Sequence, residues 1–163
     1  MIGAGRQWTA LFPSGKGGGE LVKYGYKGKG VTIHSIVDAN GKPLALTTTP
    51  ANLDERKQVE PLLDQLHKKP ETLYADKGYD AMWLRWHLQK CRGIEPFISK
   101  RQRPKPEDPE LITQNHRWVV ERTFAWYQRK FRRINIKWER KTAPWKGFLN
   151  AAFTFYWLQQ LVG

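Results

Sequence analysis

The sequence predicts an α/β protein in which helices cover a mixed β-sheet. Three observations support this prediction. A β-hairpin pattern occupies Val31–Thr49, a short apolar strand at Thr72–Ala75 runs into Asp76, and two long helical segments fill the last third of the chain. Strands that alternate with helical segments in this way are typical of a sheet with helices packed against it. The length of 163 residues fits one ordinary domain.

The first half of the chain is predicted to be mainly β-structure. Trp8–Phe12 is a short strand rich in β-forming residues, and residues 14–19 are a glycine-rich connector that we expect to be flexible. Val31–Val37 alternates apolar and polar residues, reaches a turn sequence at Asp38–Gly41, and continues in a partner strand at Leu44–Thr49. This order predicts an antiparallel hairpin.

Helices and single strands alternate in the second half of the chain. We expect one helix after a cap at Asn52 or Asp54 and another that ends at the glycine stop near Gly93. The basic, proline-rich stretch 99–109 is expected to be an exposed loop. The other predicted elements are strands at Thr72–Ala75 and Ile94–Ile98, a long helix at Glu110–Arg133 and a last helix after Pro144.

The charge balance indicates a polyanionic partner. The chain contains 28 Lys and Arg against 15 Asp and Glu, a formal net charge of +13. Nucleic acid is the first candidate and an anionic membrane surface the second. We expect no membrane role, because no stretch approaches the roughly 18 apolar residues of a spanning helix and no charged-then-apolar leader opens the chain. The single cysteine, Cys91, excludes a disulfide framework and fits a reducing cytoplasm.

Asp76 is a candidate ligand for a cation because it leaves a buried strand at its carboxyl end. Open α/β sheets place their ligands at that edge, and Gly78 allows the backbone to turn sharply just beyond it. A cap of the following helix explains Asp76 equally well from the sequence alone.

Glu121 is the second candidate. It lies in a helical run beside Val119 and Val120, and Arg117 precedes it by one helical turn. One interpretation is a surface ion pair between Arg117 and Glu121 at i, i+4 spacing. The other is a carboxylate that turns inward, where it needs a metal or a cation as its partner. In that case Asp76 and Glu121 are two carboxylates that converge on Mg²⁺.

Four sequence blocks resemble insertion-sequence transposases of the IS4/IS5 type. The blocks are Gly15-Lys16-Gly17-Gly18-Gly19, Tyr24 to His34, Ala75-Asp76-Lys77-Gly78-Tyr79-Asp80, and Glu121 to Trp126 with Phe131-Arg132-Arg133 and Trp138-Glu139-Arg140. The resemblance implies a DDE catalytic domain with an RNase H-like fold, DNA transposition as the function, and Mg²⁺ or Mn²⁺ as the cofactor. Residues 1–19 then form a strand remnant with a glycine-rich connector, and residues 20–163 a partial catalytic domain.

By this resemblance Asp76 is the second and Glu121 the third carboxylate of the catalytic triad, and both are metal ligands. In the family three carboxylates hold two metal ions, which activate the nucleophile and stabilise the leaving oxygen of a phosphodiester. Arg117 matches the arginine of the family's Y-R-E-K signature, whereas Gln114 and Gln128 stand in the places of its Tyr and Lys.

The first carboxylate of the triad has no acidic counterpart. Its expected place is at or near Thr9, and no Asp or Glu occurs between Met1 and Gly19. Threonine does not replace a carboxylate as a ligand of a hard cation, because it brings no charge. Asp38 fits a hairpin turn and Asp54 a helix cap. The family's N-terminal DNA-binding segment is also missing, so we expect a truncated, decayed or second-reading-frame product.

The C-terminal third carries an excess of positive charge. Between residues 101 and 141 there are 12 Lys and Arg against 5 Asp and Glu. An excess of one sign beside a proposed metal site favours sequence-independent contact with DNA phosphates over a plain solvated helix face. The residues predicted to contact DNA are Arg117, Arg122, Arg129, Lys130, Arg132, Arg133, Lys137 and Arg140.

The sequence supports two functions. The first is a transposase catalytic domain that binds double-stranded DNA at transposon ends in the bacterial cytoplasm, at the nucleoid, as a homodimer or together with an intact transposase. The second is a catalytically inactive DNA-binding remnant of such a transposase. An RNA-binding module has only the charge and the aromatic content in its favour. An assay for cleavage of supercoiled DNA with Mn²⁺ separates the first two.

Overall fold

The computed structural model describes residues 5–100 and 110–162, and the side chains of residues 110–117 lie outside this description. The predicted loop at 99–109 therefore falls almost entirely outside the described residues. The strands are β1 (Gly5–Leu11), β2 (Lys23–Gly25), β3 (Gly28–Val37), β4 (Pro43–Pro50), β5 (Thr72–Ala75) and β6 (Glu95–Ile98). The α-helices are α1 (Val59–Leu63), α2 (Met82–Trp86), α3 (Glu110–Lys130) and α4 (Thr142–Val162).

The strands form a mixed sheet in the order β2-β3-β1-β5-β6, and β4 pairs with β3 outside this path. β1 runs parallel to β5, and β5 runs parallel to β6, whereas β2 is antiparallel to β3. The register pairs Trp8 of β1 with Ala75 of β5, and Ala75 with Ile98 of β6. The predicted α/β class with a mixed sheet is confirmed. No helix in the described ranges is long and apolar enough to cross a bilayer.

Asp38 and Asp54 accept backbone hydrogen bonds at the turn and the cap that the sequence predicts for them. Asp38 Oδ1 accepts hydrogen bonds from the backbone N–H groups of Asn40 at 2.9 Å and Lys42 at 2.8 Å, which closes the turn between β3 and β4. Asp54 Oδ1 accepts from the N–H of Arg56 at 3.0 Å and so caps a short 3-10 turn. The helix expected after this cap is short, because α1 comprises only five residues.

The chain divides into two compact units. Within the described residues, the first unit combines the chain up to Thr9 with His34–Thr47 and Asp54–Thr123, and the second combines Ala10–Ile33, Thr48–Leu53 and the chain from Phe124 onward. Strands and α1 and α2 supply the apolar core of the first unit. Its buried residues include Trp8, Ile36, Leu62, Leu73, Tyr79, Leu84, Leu88 and Ile94.

The second unit contains α4 and a glycine-rich stretch that is well ordered. Tyr156 of α4 is buried and packs edge-on against Trp126, with ring centroids 4.9 Å apart. The backbone N–H of Gly17 donates to the carbonyl of Lys137 at 3.2 Å, and that of Glu20 donates to the carbonyl of Arg140 at 2.8 Å. The expectation of a flexible connector is therefore wrong, because these long-range hydrogen bonds fix the stretch in place.

His34 is expected to make the stability of the first unit depend on pH. The side chain is fully buried on β3, and desolvation lowers its pKa from 6.5 to about 4. Because the folded-state pKa is depressed, the unfolded chain binds the extra proton between these values. We therefore expect this contribution to stability to be complete above pH 6.5 and to be lost as the pH falls towards 4, by about 3 kcal/mol in the free energy of unfolding.

Urea denaturation at a series of pH values tests this prediction. We expect a His34→Gln variant to lose most of the slope between pH 6.5 and 4.5, whatever its absolute stability, since glutamine does not titrate. Carboxylates titrate alike in both proteins and cancel in the comparison. Equal slopes in the two proteins would show that His34 does not carry the pH dependence.

Candidate metal and nucleic-acid site

Asp76 follows directly on β5, the strand between β1 and β6. Both neighbouring strands run parallel to β5, so the carboxyl ends of all three meet at the edge where Asp76 lies. The side chain is half-buried, and its Oδ1 accepts a hydrogen bond from the N–H of Gly78 at 2.7 Å. Asp76 thus caps the 3-10 turn Lys77–Tyr79, and its carboxylate brings a second oxygen that can bind a cation.

Tyr79 fixes this turn to the core of the first unit. Its ring centroid lies 3.6 Å from that of Trp8, and both residues are buried. Its hydroxyl donates a hydrogen bond to Glu55 Oε2 at 3.1 Å. Burial and the negative charges of Glu55 and Asp76 raise the pKa of Tyr79 well above its ordinary value, so the hydroxyl stays protonated. Glu55 is thus an acidic neighbour of the site, and no motif in the sequence marks it.

Thr9 lies beside Asp76 in the sheet. Trp8 pairs with Ala75 in the parallel register of β1 and β5, so the next residues, Thr9 and Asp76, are level at the end of this pairing. Level residues of a parallel pair point to the same face of the sheet. The register therefore supports the expectation that Thr9 stands where the family has its first carboxylate.

A guanidinium group lies at the same edge of the sheet. Arg85 Nη2 pairs with Asp80 Oδ1 at 2.9 Å and also donates to the carbonyl of Ile98 at 2.7 Å. Ile98 is level with Ala75 on the neighbouring strand. Helix α2 thus places a cation next to the strand ends. A single arginine in an amphipathic helix has no distinctive sequence pattern, so this position could not be predicted.

Glu121 is exposed on α3. Its neighbours Val119, Val120 and Thr123 are buried, so they form the packed face of the helix and Glu121 lies off that face. The expectation that Glu121 turns inward is therefore wrong. Its carboxylate reaches solvent, where it can meet a cation without the full cost of burying a charge.

Two hydrogen bonds anchor α3 to the turn between β3 and β4. Thr123 Oγ1 donates to the carbonyl of Gly41 at 2.7 Å, and Arg122 Nη2 donates to the carbonyl of Asn40 at 2.8 Å. The guanidinium of Arg122 also lies 4.7 Å from the ring centroid of Trp118. Arg122, predicted to contact DNA, thus holds Glu121's helix in place while its side chain stays exposed.

The donor set of this chain fits a divalent cation incompletely. The carboxylates of Asp76 and Glu121 are the oxygen ligands that Mg²⁺ and Mn²⁺ accept, whereas Thr9 brings no charge. Across residues 5–100 and 118–162, no group of three or more His, Cys, Asp or Glu side chains could hold a metal ion. Within those residues one carboxylate of a complete site is missing, and the convergence of Asp76 with Glu121 stays a prediction.

The basic residues predicted to contact DNA differ in their surroundings. Arg133 is exposed and pairs with Glu139 Oε1 at 2.8 Å. Lys137 is fully buried, and its Nζ donates to the carbonyl of Glu139; burial lowers the pKa of this lysine. Lys137 is therefore a structural residue, which corrects its assignment to the DNA surface. The side chain of Arg117 lies outside the described residues. The remaining exposed cations of the set in the second unit are Arg129, Lys130, Arg132 and Arg140.

Residues 9–154 match the transposase DDE domain family, and the chain belongs to that family. Its five longer strands, in the order β4-β3-β1-β5-β6, with β1 parallel to β5 and β5 to β6, form the RNase H-like sheet that the resemblance implied.

Two curated relatives and one solved structure illustrate the similarity. The chain is 40% identical over 126 residues to the putative transposase for insertion sequence element IS402 of Burkholderia cepacia, covering 71% of this chain and 57% of that protein. It is 38% identical over 117 residues to the transposase for IS1106 of Neisseria meningitidis serogroup B, covering 69% and 38%. The piggyBac transposase synaptic complex with hairpin DNA has a TM-score of 0.48 at 15% identity, over 69% of this chain and 26% of that chain.

Proposed function

We propose that this chain acts in DNA transposition as the catalytic-domain part of an insertion-sequence transposase. The observation that carries the proposal is the position of Asp76, at the shared carboxyl ends of β1, β5 and β6 in a chain of this family. The match covers only 57% and 38% of the two relatives, so the activity of the whole protein is inferred rather than observed.

Asp76 and Glu121 are the proposed ligands of Mg²⁺ or Mn²⁺. When bound, such ions supply the positive charge that a phosphodiester needs before a nucleophile can approach it. The chain's own part is to hold the ligands still: the Gly78 N–H fixes one oxygen of Asp76, and Tyr79 packs the turn onto Trp8. A preorganised carboxylate binds an ion at a lower cost in conformational freedom.

Double-stranded DNA is the proposed partner. Arg85 lies at the carboxyl end of β6, the strand next to β5. The exposed cations at the end of α3 and beyond it add a positive surface on the second unit. These side chains contact phosphates, so the binding is largely independent of sequence and weakens with salt. Pairing of two transposon ends requires two such sites, which a homodimer or an intact transposase subunit provides.

A second candidate is a DNA-binding protein that does not cleave. Thr9 favours it, because it stands level with Asp76, at or near the expected place of the family's first carboxylate, and contributes no charge. Such a protein keeps salt-sensitive DNA binding and competes with an intact transposase for the same ends. The two candidates differ in strand cleavage and agree in DNA affinity.

Calorimetric titration with Mn²⁺ tests the metal ligands. We expect weak binding by the unsubstituted chain and at least a tenfold lower affinity in Asp76→Asn and in Glu121→Gln, since each variant removes one charged ligand. Asp64→Asn is the matched control, because Asp64 is an exposed carboxylate that pairs with Arg92 at 2.6 Å away from the strand ends. An unchanged titration in Asp76→Asn would remove the proposed site.

Cleavage of supercoiled plasmid then separates the two candidate functions. Nicking that requires Mn²⁺ and disappears in Asp76→Asn supports the transposase reaction. Plasmid binding without nicking, insensitive to the same substitution, supports the non-cleaving protein. A chain that binds no DNA at low salt would contradict both.

A further inference from the structure

The hairpin formed by β2 and the start of β3 carries two exposed aromatic rings. Gly25 pairs with Gly28, which leaves Tyr26 and Lys27 as a two-residue turn. Tyr24 is 75% exposed and Tyr26 is 104% exposed. Rings of this size normally contribute to a core or an interface, so this hairpin tip is a candidate binding surface.

The charge around these rings has one sign. Lys23, Lys27 and Lys29 are all exposed, and no Asp or Glu occurs from Leu21 to Val37. The ammonium of Lys29 lies 5.9 Å from the centroid of the Tyr24 ring, within the range of a cation–π contact. The hairpin therefore presents a positive surface that carries largely exposed aromatic rings.

A second pair of the same kind lies on the neighbouring segments of the second unit. The N–H of Gly15 donates to the carbonyl of Lys29 at 3.0 Å, which places the glycine-rich stretch beside the hairpin. From that stretch Lys16 reaches to within 5.8 Å of the ring centroid of Trp138, which is 54% exposed. We call this surface the aromatic-basic ridge. It comprises Lys16, Lys23, Tyr24, Tyr26, Lys27, Lys29 and Trp138.

The hairpin is also firmly held. A side chain at Gly25 would overlap the carbonyl oxygen of Ala51, so the base of the turn packs directly on neighbouring backbone. Rings on a braced hairpin lose little conformational freedom on binding, which increases the affinity available from each contact.

We infer that the aromatic-basic ridge binds unpaired nucleotides of DNA. Lysines contact the phosphates, and Tyr24 and Tyr26 stack on bases, the combination by which proteins bind single strands. In duplex DNA the base faces are stacked on one another. A duplex therefore contacts the lysines through its phosphates but makes no stacking contact with the tyrosine rings. The inference rests on the proposed function only in taking DNA as the partner, and it adds the single-stranded part of that partner.

Fluorescence anisotropy with two probes tests the inference. One probe is a 20-base-pair duplex, and the other is the same duplex with a five-nucleotide single-stranded 3′ extension that contains 2-aminopurine. The unsubstituted chain should bind the extended probe more tightly and quench its 2-aminopurine. Stacking of one base on an aromatic ring corresponds to roughly 5- to 150-fold in affinity. The affinity of the Tyr24→Ala/Tyr26→Ala variant should therefore fall about tenfold or more for the extended probe and less than twofold for the duplex.

Three control variants make the result specific. Tyr24→Phe/Tyr26→Phe keeps both rings and should retain the preference for the extended probe. Trp83→Ala removes an aromatic residue of α2 that is 47% exposed in the first unit and should change neither affinity. Lys27→Gln should lower the affinity for both probes by the same factor. It should also reduce the slope of log affinity against log salt concentration by about one.

The outcomes separate the two proposals. If the double alanine variant loses the same factor of affinity for both probes, or loses no affinity for either, the stacking role of the ridge is overturned. Equal affinity of the unsubstituted chain for the two probes also overturns it, while DNA as the partner still stands. Absence of binding to either probe removes the proposed function itself.

Discussion

A Thr9→Asp variant should bind Mn²⁺ at least ten times more tightly than the unsubstituted chain. Thr9 and Asp76 are level at the ends of β1 and β5, so an aspartate there brings a second carboxylate to the same face of the same edge. A unit charge about 4 Å from a cation contributes roughly 1–4 kcal/mol at the dielectric of a protein surface, and about 1.4 kcal/mol is already a factor of ten. Titration calorimetry measures the change directly.

Thermal unfolding gives the same variant an independent signature. Without metal, Thr9→Asp places two like charges side by side and should lower the melting temperature. With Mn²⁺ well above its dissociation constant the loss should be recovered, because a ligand that binds only the folded state stabilises it by mass action. Thr9→Asn has nearly the size of aspartate without its charge and should show neither effect. Identical Mn²⁺ titrations of Thr9→Asp and Thr9→Asn would contradict the assignment of Thr9 to the first-carboxylate position.

Local patterns in the sequence were sufficient to predict most of the fold. β5 occupies the predicted Thr72–Ala75, and β3 and β4 contain the predicted hairpin strands, because alternation and turn chemistry are properties of neighbouring residues. The fixed conformation of the glycine-rich stretch could not be predicted from local patterns. Gly17 and Glu20 donate hydrogen bonds to carbonyl groups far along the chain, and glycine gives no local sign that its backbone is paired.

The candidate site was predictable at Asp76 and only partly at Glu121. Asp76 follows a recognisable strand, so its position at a sheet edge follows from the strand itself. The two valines beside Glu121 suggested an inward carboxylate, but the buried face of α3 continues from Val119 and Val120 to Thr123 and Tyr127. That spacing is the helical repeat, and Glu121 lies off it. A buried threonine does not register in a search for apolar residues, which is why the face was misplaced.

Lys137 was misassigned for a related reason. A lysine in a basic stretch normally reaches solvent, but its N–H donates to the carbonyl of Ser14 at 2.8 Å and its carbonyl accepts from Gly17. This backbone pairing holds Lys137 against the glycine-rich stretch, and its side chain is buried. The residue type and the basic neighbours of Lys137 predicted an exposed side chain, but the tertiary backbone pairing buries it.

Gly17→Ala should strongly destabilise the second unit. A Cβ at Gly17 would overlap the carbonyl oxygen and carbon of Trp138, and a backbone group cannot swing aside as a side chain can. Overpacking of this kind costs about 3 kcal/mol in the free energy of unfolding. Urea denaturation measures it as a lower midpoint at an unchanged m-value. The variant should also weaken the Lys16–Trp138 contact of the aromatic-basic ridge, since the same backbone pairing positions both residues.

Two other glycines serve as matched controls for the added methyl group. Gly18 has φ +65° with open space around its Cβ position, so Gly18→Ala pays only for the left-handed backbone, about 1–2 kcal/mol. Gly147 lies inside α4 and a Cβ there meets nothing within 4 Å, so Gly147→Ala should stabilise the protein by about 1 kcal/mol through helix propensity. The predicted order of stability is Gly147→Ala, unsubstituted chain, Gly18→Ala, Gly17→Ala. A Gly17→Ala variant as stable as Gly18→Ala would mean that the glycine-rich stretch is not held against Trp138 in solution, and that the ordered stretch does not position Lys16.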